Sequence, residues 1–395
     1  MTINNKIHVV HITQYLEIGG LESFIVEFCR KMDTTVFTAS VLCLNGYDSV
    51  YQKALEKCGV TVHLIKKSHT YDFLFLLRAA AFLKNIQADI VHTHGGCFFY
   101  SSLIARCARV KRLVYTVHGM PVTSGLQARV EEYVTCAMTD RIVAVSDEIA
   151  DDLGSRQAVA AQKIDVIING IDPEKYRPIE DPKDMAACKA AYGLPAGKKI
   201  IGSVGRLEAV KNYPLLLNAF AELIRIGRDE LHLVLVGSGR EDTELKRVAD
   251  ELKIEDNVTF LGMQYDVQNI YPLFDVFVLS SLTEGTSLSL LEAQSCGVPA
   301  VVTDVGGNSG IVRNGVNGFL SPSGDHVAMA AHLEYILTND TARFEMKQRA
   351  RAEIMDRFDI TAMVKKYQDI YVSSVDQTAT GTVAAAMKSY DIRIS

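Results

Sequence analysis

Two glutamates, Glu284 and Glu292, lie in the stretch SLTEGTSLSLLEAQSC with only Ser, Thr, Gly and Leu between them. The run YPLFDVFVLSS before them is typical of a buried strand, and SLSLLEAQSC has helical periodicity ending at Gly297. Glu284 is therefore predicted in a loop and Glu292 inside a helix. A helix N-terminus attracts anions, and a carboxylate there would repel a phosphate. We expect both carboxylates to bind ligand hydroxyl groups, as in sugar and ribose sites; helix capping is the alternative.

Two cations, Arg206 and Lys211, occur five residues apart in GSVGRLEAVKNYPLLLNAF, where a predicted strand gives way to a helix. A guanidinium fork and an ammonium at one strand end suit a diphosphate; ordinary surface solvation is the alternative. Gly19 and Gly20 in EIGGLESF lie between the first strand and its helix, where glycine lets backbone approach a phosphate. A simple tight turn explains them equally well. The stretch GSGRED lacks the third glycine of a dinucleotide-binding loop.

Histidines end two of the predicted strands. His118 closes a strand in YTVHGMP, and VHTHGG places His92 and His94 two residues apart at the end of another. Taken alone, each is best interpreted as a hydrogen-bonded histidine at a strand end. The position of His118 at the edge where α/β proteins bind ligands makes it the one candidate for a role in the reaction.

The composition is that of an ordinary soluble protein, and the length suffices for two domains: 395 residues, 48% hydrophobic and 22% charged. A net charge of −6 gives no support to a nucleic-acid partner. The eight cysteines form no CxxC pair and no zinc-like Cys/His spacing, which favours a reduced, cytoplasmic protein. The most apolar segment, FLFLLRAAAFL, contains Arg78; we interpret it as a core helix, with an interfacial anchor as the alternative.

Strand and helix patterns alternate along the chain, as in doubly wound parallel sheets. Seven strand patterns precede the Pro- and Asp-rich stretch NGIDPEKYRPIEDPKD, and five follow it. We therefore predict a Rossmann-like domain at 1–172, a linker at 173–195 and a second Rossmann-like domain at 196–358. A C-terminal helix at 359–374 is predicted to pack back toward the first domain, followed by a loosely ordered tail at 375–395.

Five motifs together resemble the retaining glycosyltransferases of family 4, which have the GT-B fold. They occur in the expected order over nearly the whole chain: IGGLE, TVHG, IINGIDPEKYRP, GRLEAVKN and EGTSLSLLEAQSCGVPAVVTDVGG. The resemblance implies two Rossmann-like domains facing a central cleft. It also implies a hexosyltransferase that moves a sugar from a UDP- or GDP-type nucleotide diphosphate sugar to a hydroxyl acceptor with retention. Cell-surface polysaccharide or glycolipid biosynthesis is the implied setting.

For the donor diphosphate, the resemblance implies a clamp made of Arg206 and Lys211, with Gly19 and Gly20 beside the phosphates. Amides at the start of the helix after Glu284 would stabilise the leaving diphosphate; they belong to Gly285, Thr286, Ser287 and Leu288. No Asp-x-Asp triplet occurs in the chain, so we expect no metal and no cofactor.

For the donor sugar, the resemblance implies that Glu284 binds the transferred sugar, Glu292 binds the ribose and His118 faces the reacting centre. In the front-face mechanism proposed for such enzymes, a leaving phosphate oxygen takes the acceptor proton. One departure from the family is VGGNSGIV, which has Gly310 where a glutamate is common. Two alternatives stay open: a sugar-nucleotide epimerase or phosphorylase on the same fold, and a non-catalytic nucleotide-sugar-binding partner subunit.

The acceptor is expected to be a carbohydrate or a lipid-linked sugar, met by the N-terminal domain. Peripheral contact with the inner face of the membrane is one expectation, through the basic residues Arg106, Arg109, Lys111 and Arg112. Most basic runs of this kind are solvated faces, so the cations alone do not decide it.

Overall fold

The computed structural model describes residues 6–17, 19–67, 72–119, 126–156 and 159–373. The chain divides into two compact units, the first formed by Met1–Ile168 with Ile360–Ser395 and the second by Asn169–Asp359. Each unit contains its own parallel sheet with helices, so the predicted α/β class is confirmed. The tail predicted at 375–395 lies outside the described residues.

The first unit contains a seven-stranded sheet in the order β3-β2-β1-β4-β5-β6-β7. Its strands are β1 Ile7–Leu16, β2 Phe37–Tyr47, β3 Thr61–Leu64, β4 Ile90–His94, β5 Arg112–Val117, β6 Arg141–Ala144 and β7 Ile164–Val166. The helices between them are α1 Gly20–Lys31, α2 Ser49–Glu56, α3 Phe73–Asn85, α4 Phe98–Ala108, α5 Leu126–Met138 and α6 Asp147–Arg156. All seven strands correspond to the seven patterns predicted from sequence.

Side chains alternate between the two faces of this sheet, as the period of a strand requires. Val10 and Ile12 of β1 pack in one core cluster with Phe75 of α3 and Ile104 of α4. The neighbouring residue His11 belongs to the opposite face, where its ring contacts the ring of Phe28. The register pairs His11 with His92 on β4, which places two imidazoles side by side on that face.

The second unit contains a six-stranded sheet in the order β10-β9-β8-β11-β12-β13. Its strands are β8 Lys199–Val204, β9 Leu231–Val236, β10 Val258–Gly262, β11 Val276–Leu279, β12 Ala300–Thr303 and β13 Gly318–Ser321. Its helices are α7 Pro182–Ala191, α8 Tyr213–Arg225, α9 Asp242–Glu251, α10 Leu288–Ser295, α11 Asn308–Ile311, α12 His326–Thr338 and α13 Asp340–Arg357. The sixth strand, β13, was not among the five predicted.

Two segments differ from the sequence-based predictions. The stretch 173–195 is not a bare linker, because it contains α7 and belongs to the second unit, where the Arg351 guanidinium binds the carbonyls of Pro173 and Tyr176. The predicted strand YPLFDVFVLSS is too long. Its first three residues, Tyr271–Leu273, form a 3-10 turn, because proline has no N–H to donate within a central strand. The predicted C-terminal helix is α14 Ile360–Ser373, which belongs to the first unit, where it packs on α1.

Among the helices of the described residues, none combines the length and the apolar character needed to cross a bilayer.

Candidate functional site

The loops that follow β8 and β11 meet at the carboxyl edge of the second sheet. After β8, a 3-10 turn over Ala209–Lys211 leads through Asn212, in the left-handed conformation, into α8. The Ser280 hydroxyl donates to the Lys211 carbonyl at 2.9 Å, and the Leu282 amide donates to the Val210 carbonyl at 2.8 Å. These bonds fix the loop that carries the predicted cations against the loop that carries Glu284.

Lys211 and Glu284 form an ion pair in this structure. The Lys211 ammonium lies 2.5 Å from Glu284 Oε1, and the two side chains are 16% and 11% exposed. The Ser281 hydroxyl donates to the same oxygen at 2.5 Å. Arg206, the other predicted cation, is exposed on the loop after β8. In this structure, Lys211, which was predicted to bind the diphosphate, is thus paired directly with Glu284, which was predicted to bind the sugar.

The loop carrying Glu284 is held by glycines that follow β12. A Cβ atom on Gly306 would lie 1.9 Å from the Glu284 carbonyl oxygen, and the φ of Gly306 is +54°. The Gly307 amide donates to the Gly285 carbonyl at 3.1 Å. Only glycine allows backbones to approach this closely in that conformation. Gly310, the departure from the family pattern, lies in α11 with open space around its Cα position.

The helix α10 starts directly after these loops. Ser287 is its N-cap and accepts a hydrogen bond from the Leu290 amide at 3.4 Å. Gly285, Thr286 and Ser287 are all buried, and Leu288 is the first helical residue. The predicted amide donors are thus placed where a helix N-terminus offers N–H groups to an anion.

Glu292 lies inside α10 with a different partner. The Tyr271 hydroxyl donates to Glu292 Oε2 at 2.5 Å, and both residues are buried. Burial, followed by the charge of Glu292, raises the pKa of Tyr271 well above its usual range, so its hydroxyl stays a donor. The two glutamates therefore have separate partners, Lys211 with Ser281 for one and Tyr271 for the other.

In the first unit, the predicted phosphate contact is the start of α1. Gly19 is the N-cap with an extended backbone, and Gly20 is the first helical residue. The Glu22 carboxylate lies over this turn, since a Cβ atom on Gly19 would be 2.3 Å from Glu22 Oε2. An acidic residue in the first turn interacts favourably with the helix dipole. A phosphate at this turn would have to displace the Glu22 side chain.

Four histidines, which we call the histidine cluster, lie on the sheet face next to α1: His11, His92, His94 and His118. His118 Nε2 is 3.1 Å from His94 Nδ1, and His94 Nε2 is 3.0 Å from His11 Nδ1. His92 Nε2 contacts the Thr116 hydroxyl at 2.7 Å. The structure confirms hydrogen-bonded histidines at strand ends. It also connects three of them, His118, His94 and His11, in one series of hydrogen bonds.

The histidine cluster is held neutral by its surroundings. Burial lowers the pKa of His118 to about 4 and that of His11 to about 3, and it lowers the pKa values of His92 and His94 well below 6.5. A neutral imidazole has one donor and one acceptor nitrogen, so the chain of bonds couples the tautomer of His118 to that of His94.

Ring nitrogens of His11, His92 and His94 lie within 4.8 Å of one another, a spacing that could receive a metal ion. Both nitrogens of His92 already have partners, the Thr116 hydroxyl and the Tyr371 hydroxyl at 2.6 Å. A metal would have to break one of these bonds, so the hydrogen-bond network is the better account of the cluster.

Sequence reasoning missed Tyr271, Ser281, Gly306 and His11 as parts of these arrangements. Tyr271 stood inside a predicted strand, and Ser281 was read only as part of a strand end. His11 follows the period-2 alternation of β1 and could be placed beside His92 only once the pairing of β1 with β4 was known.

The comparisons with known proteins agree across the chain. The model of "Glycosyltransferase Family 4" matches residues 18–175, and that of "Glycosyl transferases group 1" matches residues 184–353. The chain is 29% identical to UDP-Gal:alpha-D-GlcNAc-diphosphoundecaprenol alpha-1,3-galactosyltransferase of Escherichia coli, over 94% of this chain and 98% of the relative. It is 30% identical to the putative glycosyltransferase EpsD of Bacillus subtilis, over 73% of this chain and 78% of the relative.

The fold has close counterparts among solved structures. An Anabaena protein crystallised with UDP-glucose superposes with a TM-score of 0.81 at 21% identity, covering 93% of this chain and 99% of that chain. Its low identity supports the fold alone. Together with the family matches, this fold identifies the chain as a GT-B glycosyltransferase that acts on nucleotide sugars and belongs to glycosyltransferase family 4.

Proposed function

We propose that this chain transfers a hexose from a UDP-sugar to a hydroxyl group of a lipid-linked, diphosphate-bearing sugar, with retention at the anomeric carbon. The observation that carries the proposal is the ion pair of Lys211 and Glu284 beside the start of α10. The printed activity of the Escherichia coli relative, similar over 94% of this chain, supports the choice of UDP donor and lipid diphosphate acceptor.

In this proposal, Lys211 is the cation that binds the donor diphosphate. The ammonium is mostly buried and needs a negative partner, which Glu284 supplies in the absence of ligand. When the diphosphate binds, Lys211 turns to it and Glu284 becomes available to the sugar hydroxyls. Arg206 and the amides of residues 285–288 would share the negative charge that develops as the diphosphate leaves.

The remaining roles follow the family assignments. Glu292, oriented by the Tyr271 hydroxyl, would accept hydrogen bonds from the ribose. Gly19 and Gly20 would lie beside the phosphates, and His118 would serve the reacting centre as a neutral imidazole. No cofactor and no metal enter the proposed reaction, because the diphosphate charge is met by side chains and amides.

A lipid-linked acceptor requires the enzyme to work at a membrane surface. Peripheral contact with the membrane is therefore part of the proposal, and cell-surface polysaccharide or glycolipid assembly is its setting.

The experiment is a transfer assay with a short-chain lipid diphosphate GlcNAc acceptor and a panel of UDP- and GDP-hexoses. Product linkage is then assigned by NMR. We expect transfer from one UDP-hexose, an axial anomeric product from an axial donor, and loss of transfer in Lys211→Ala. Lys183→Ala, an exposed lysine of the same unit, is the matched control and should retain activity. An inverted product, or transfer unaffected by Lys211→Ala, would contradict the proposal.

A further inference from the structure

The helix α3 exposes large apolar side chains where a surface helix normally carries polar ones. Its inner face buries Phe75, Ala79, Ala80 and Leu83 in the core. Its outer face exposes Phe73, Leu74 and Leu77, whose relative exposures are 74%, 72% and 63%. The helix is thus a core element on one side only. Three large apolar residues in two adjacent turns form a patch of the kind that marks an interaction site.

Cations surround this patch on the same helix and on the segment before it. Arg78, Ala81 and Lys84 continue the exposed face toward the end of α3. Lys66 and Lys67 follow β3, and with Leu64, Ile65 and Arg78 they line a recess of about 560 Å³. The Lys67 ammonium lies 3.5 Å from the centre of the Tyr100 ring, and Arg78 reaches the Lys66 carbonyl at 3.5 Å. Arg78 also lies 3.8 Å from the Asp72 carboxylate, whereas Lys66 and Lys84 have no carboxylate partner among the described residues. Apolar side chains beside such cations are the composition of helices that lie in the interface of anionic membranes.

The position of the patch in the first unit suits delivery of an acceptor. The helix α3 ends five residues before β4 begins, so its C-terminus is near the amino edge of the parallel sheet. Thirteen helical residues span ~20 Å, which places the start of α3 toward the carboxyl edge. His94 ends β4, and His118 directly follows β5, at that same edge. A membrane in contact with Phe73 and Leu74 would lie at the end of the unit that carries these histidines.

Of the four basic residues expected from sequence to contact the membrane, Arg106 and Lys111 have carboxylate partners within the protein. Arg106 pairs with Asp140 at 2.9 Å and also binds the Met138 carbonyl, and Lys111 lies 2.7 Å from Asp89. Their charges are therefore balanced within the protein. A lipid surface gains little from cations that already have carboxylate partners.

We propose that the exposed face of α3, namely Phe73, Leu74, Leu77 and Lys84 together with Lys66 before it, is the surface that binds an anionic phospholipid membrane. It rests on the proposed function only in that a lipid-linked acceptor gives the contact a purpose. The apolar side chains enter the acyl boundary, and the cations bind the lipid phosphates. A second copy of the chain is the rival occupant, and the adjacent cations disfavour it because a symmetric contact would bring like charges together.

The test is vesicle flotation of the full chain, with phosphatidylcholine alone and with phosphatidylglycerol added. We expect the wild type to bind the anionic vesicles preferentially. The variant Phe73→Ser with Leu74→Ser and Leu77→Ser should bind them roughly tenfold or more weakly. These side chains are outside the core, so its melting temperature and UDP affinity should stay as in the wild type. Lys66→Gln with Lys84→Gln should remove the preference for anionic lipid.

A matched control comes from the second unit. Val327, Phe344 and Met355 are 60%, 64% and 55% exposed, so their replacement by serine also removes three largely exposed apolar side chains. This control should bind vesicles like the wild type. Equal vesicle binding by the α3 variant, no binding by the wild type, or an α3-dependent dimer in sedimentation without lipid binding would overturn the membrane proposal. Intact vesicle binding with no sugar transfer would count against the proposed function alone.

Discussion

Removing Glu284 should lower the free energy of unfolding while leaving the affinity for the nucleotide nearly unchanged. The Lys211 ammonium is 16% exposed and has Glu284 at 2.5 Å, so Glu284→Ala leaves a largely buried cation without its carboxylate. Losing one member of a buried pair costs ~3–5 kcal/mol, and the residual exposure of both groups reduces our expectation to about 2–3 kcal/mol. UDP offers Lys211 a new anionic partner. The stabilisation that saturating UDP gives should therefore be about as large in Glu284→Ala as in the wild type.

Glu292→Ala should behave in the opposite way. We expect it to weaken UDP binding by ~1.5–3 kcal/mol, the value of hydrogen bonds to a charged group. Calorimetry with UDP alone gives the affinities, thermal unfolding with and without UDP gives the stabilities, and turnover with the full donor completes the comparison. Glu284→Ala should keep UDP affinity within about threefold of the wild type while losing transfer.

Two controls separate ligand binding from folding. Tyr271→Phe removes the hydroxyl that orients Glu292 and leaves the carboxylate, so its loss of UDP affinity should be smaller than that of Glu292→Ala. Glu255→Ala changes an exposed glutamate of the same unit and should alter nothing. Equal losses of UDP affinity in Glu284→Ala and Glu292→Ala would refute the separation of roles, as would full transfer by Glu284→Ala.

Three further predictions follow from the two units. Because burial lowers the pKa of His118 to about 4 and of His11 to about 3, protons bind the unfolded chain first as the pH falls below 6.5. Unfolding free energy should drop between pH 6.5 and about pH 4 by about 1.4 kcal/mol per pH unit for each such histidine; a flat stability profile there would contradict this. Gly306→Ala would place a Cβ 1.9 Å from the Glu284 carbonyl, so we expect lower melting temperature and reduced transfer, whereas Gly310→Ala has open space and should be tolerated. Transfer should survive EDTA unchanged, and restoration by Mg²⁺ after EDTA inhibition would disprove metal independence.

Much of the fold could be predicted because each strand of a parallel sheet is a short apolar run between helical patterns. All seven strands of the first unit were visible in this way. The strand β13 was missed because Gly318–Ser321 has four residues, and two of them are only partly buried. The stretch 173–195 resembled a linker because of its Pro and Asp content, which equally serves the N-cap of α7 at Asp181.

The candidate site could be predicted only as a set of residues. Motif spacing singled out Glu284 and Lys211 but could not reveal their ion pair, which depends on the register of β8 and β11. The histidine cluster was likewise predictable only in part. The sequence places His92 and His94 on one side of β4, whereas the position of His11 beside them is a property of strand pairing between residues 81 apart in the chain.

The helix α14 has a consequence for the order in which the protein can be made. Tyr367 and Tyr371 are fully buried beside the histidine cluster; Tyr371 bonds His92 at 2.6 Å and Tyr367 lies 3.2 Å from the Thr116 hydroxyl. On the ribosome, the first unit must wait for the last part of the chain before these buried groups obtain their partners. The second unit is continuous from residue 169 to 359 and can finish folding earlier. The part of the enzyme that is synthesised first is thus completed last, and a chain cut before residue 360 would leave a hydrophobic gap and a histidine without its hydroxyl in the middle of the first unit.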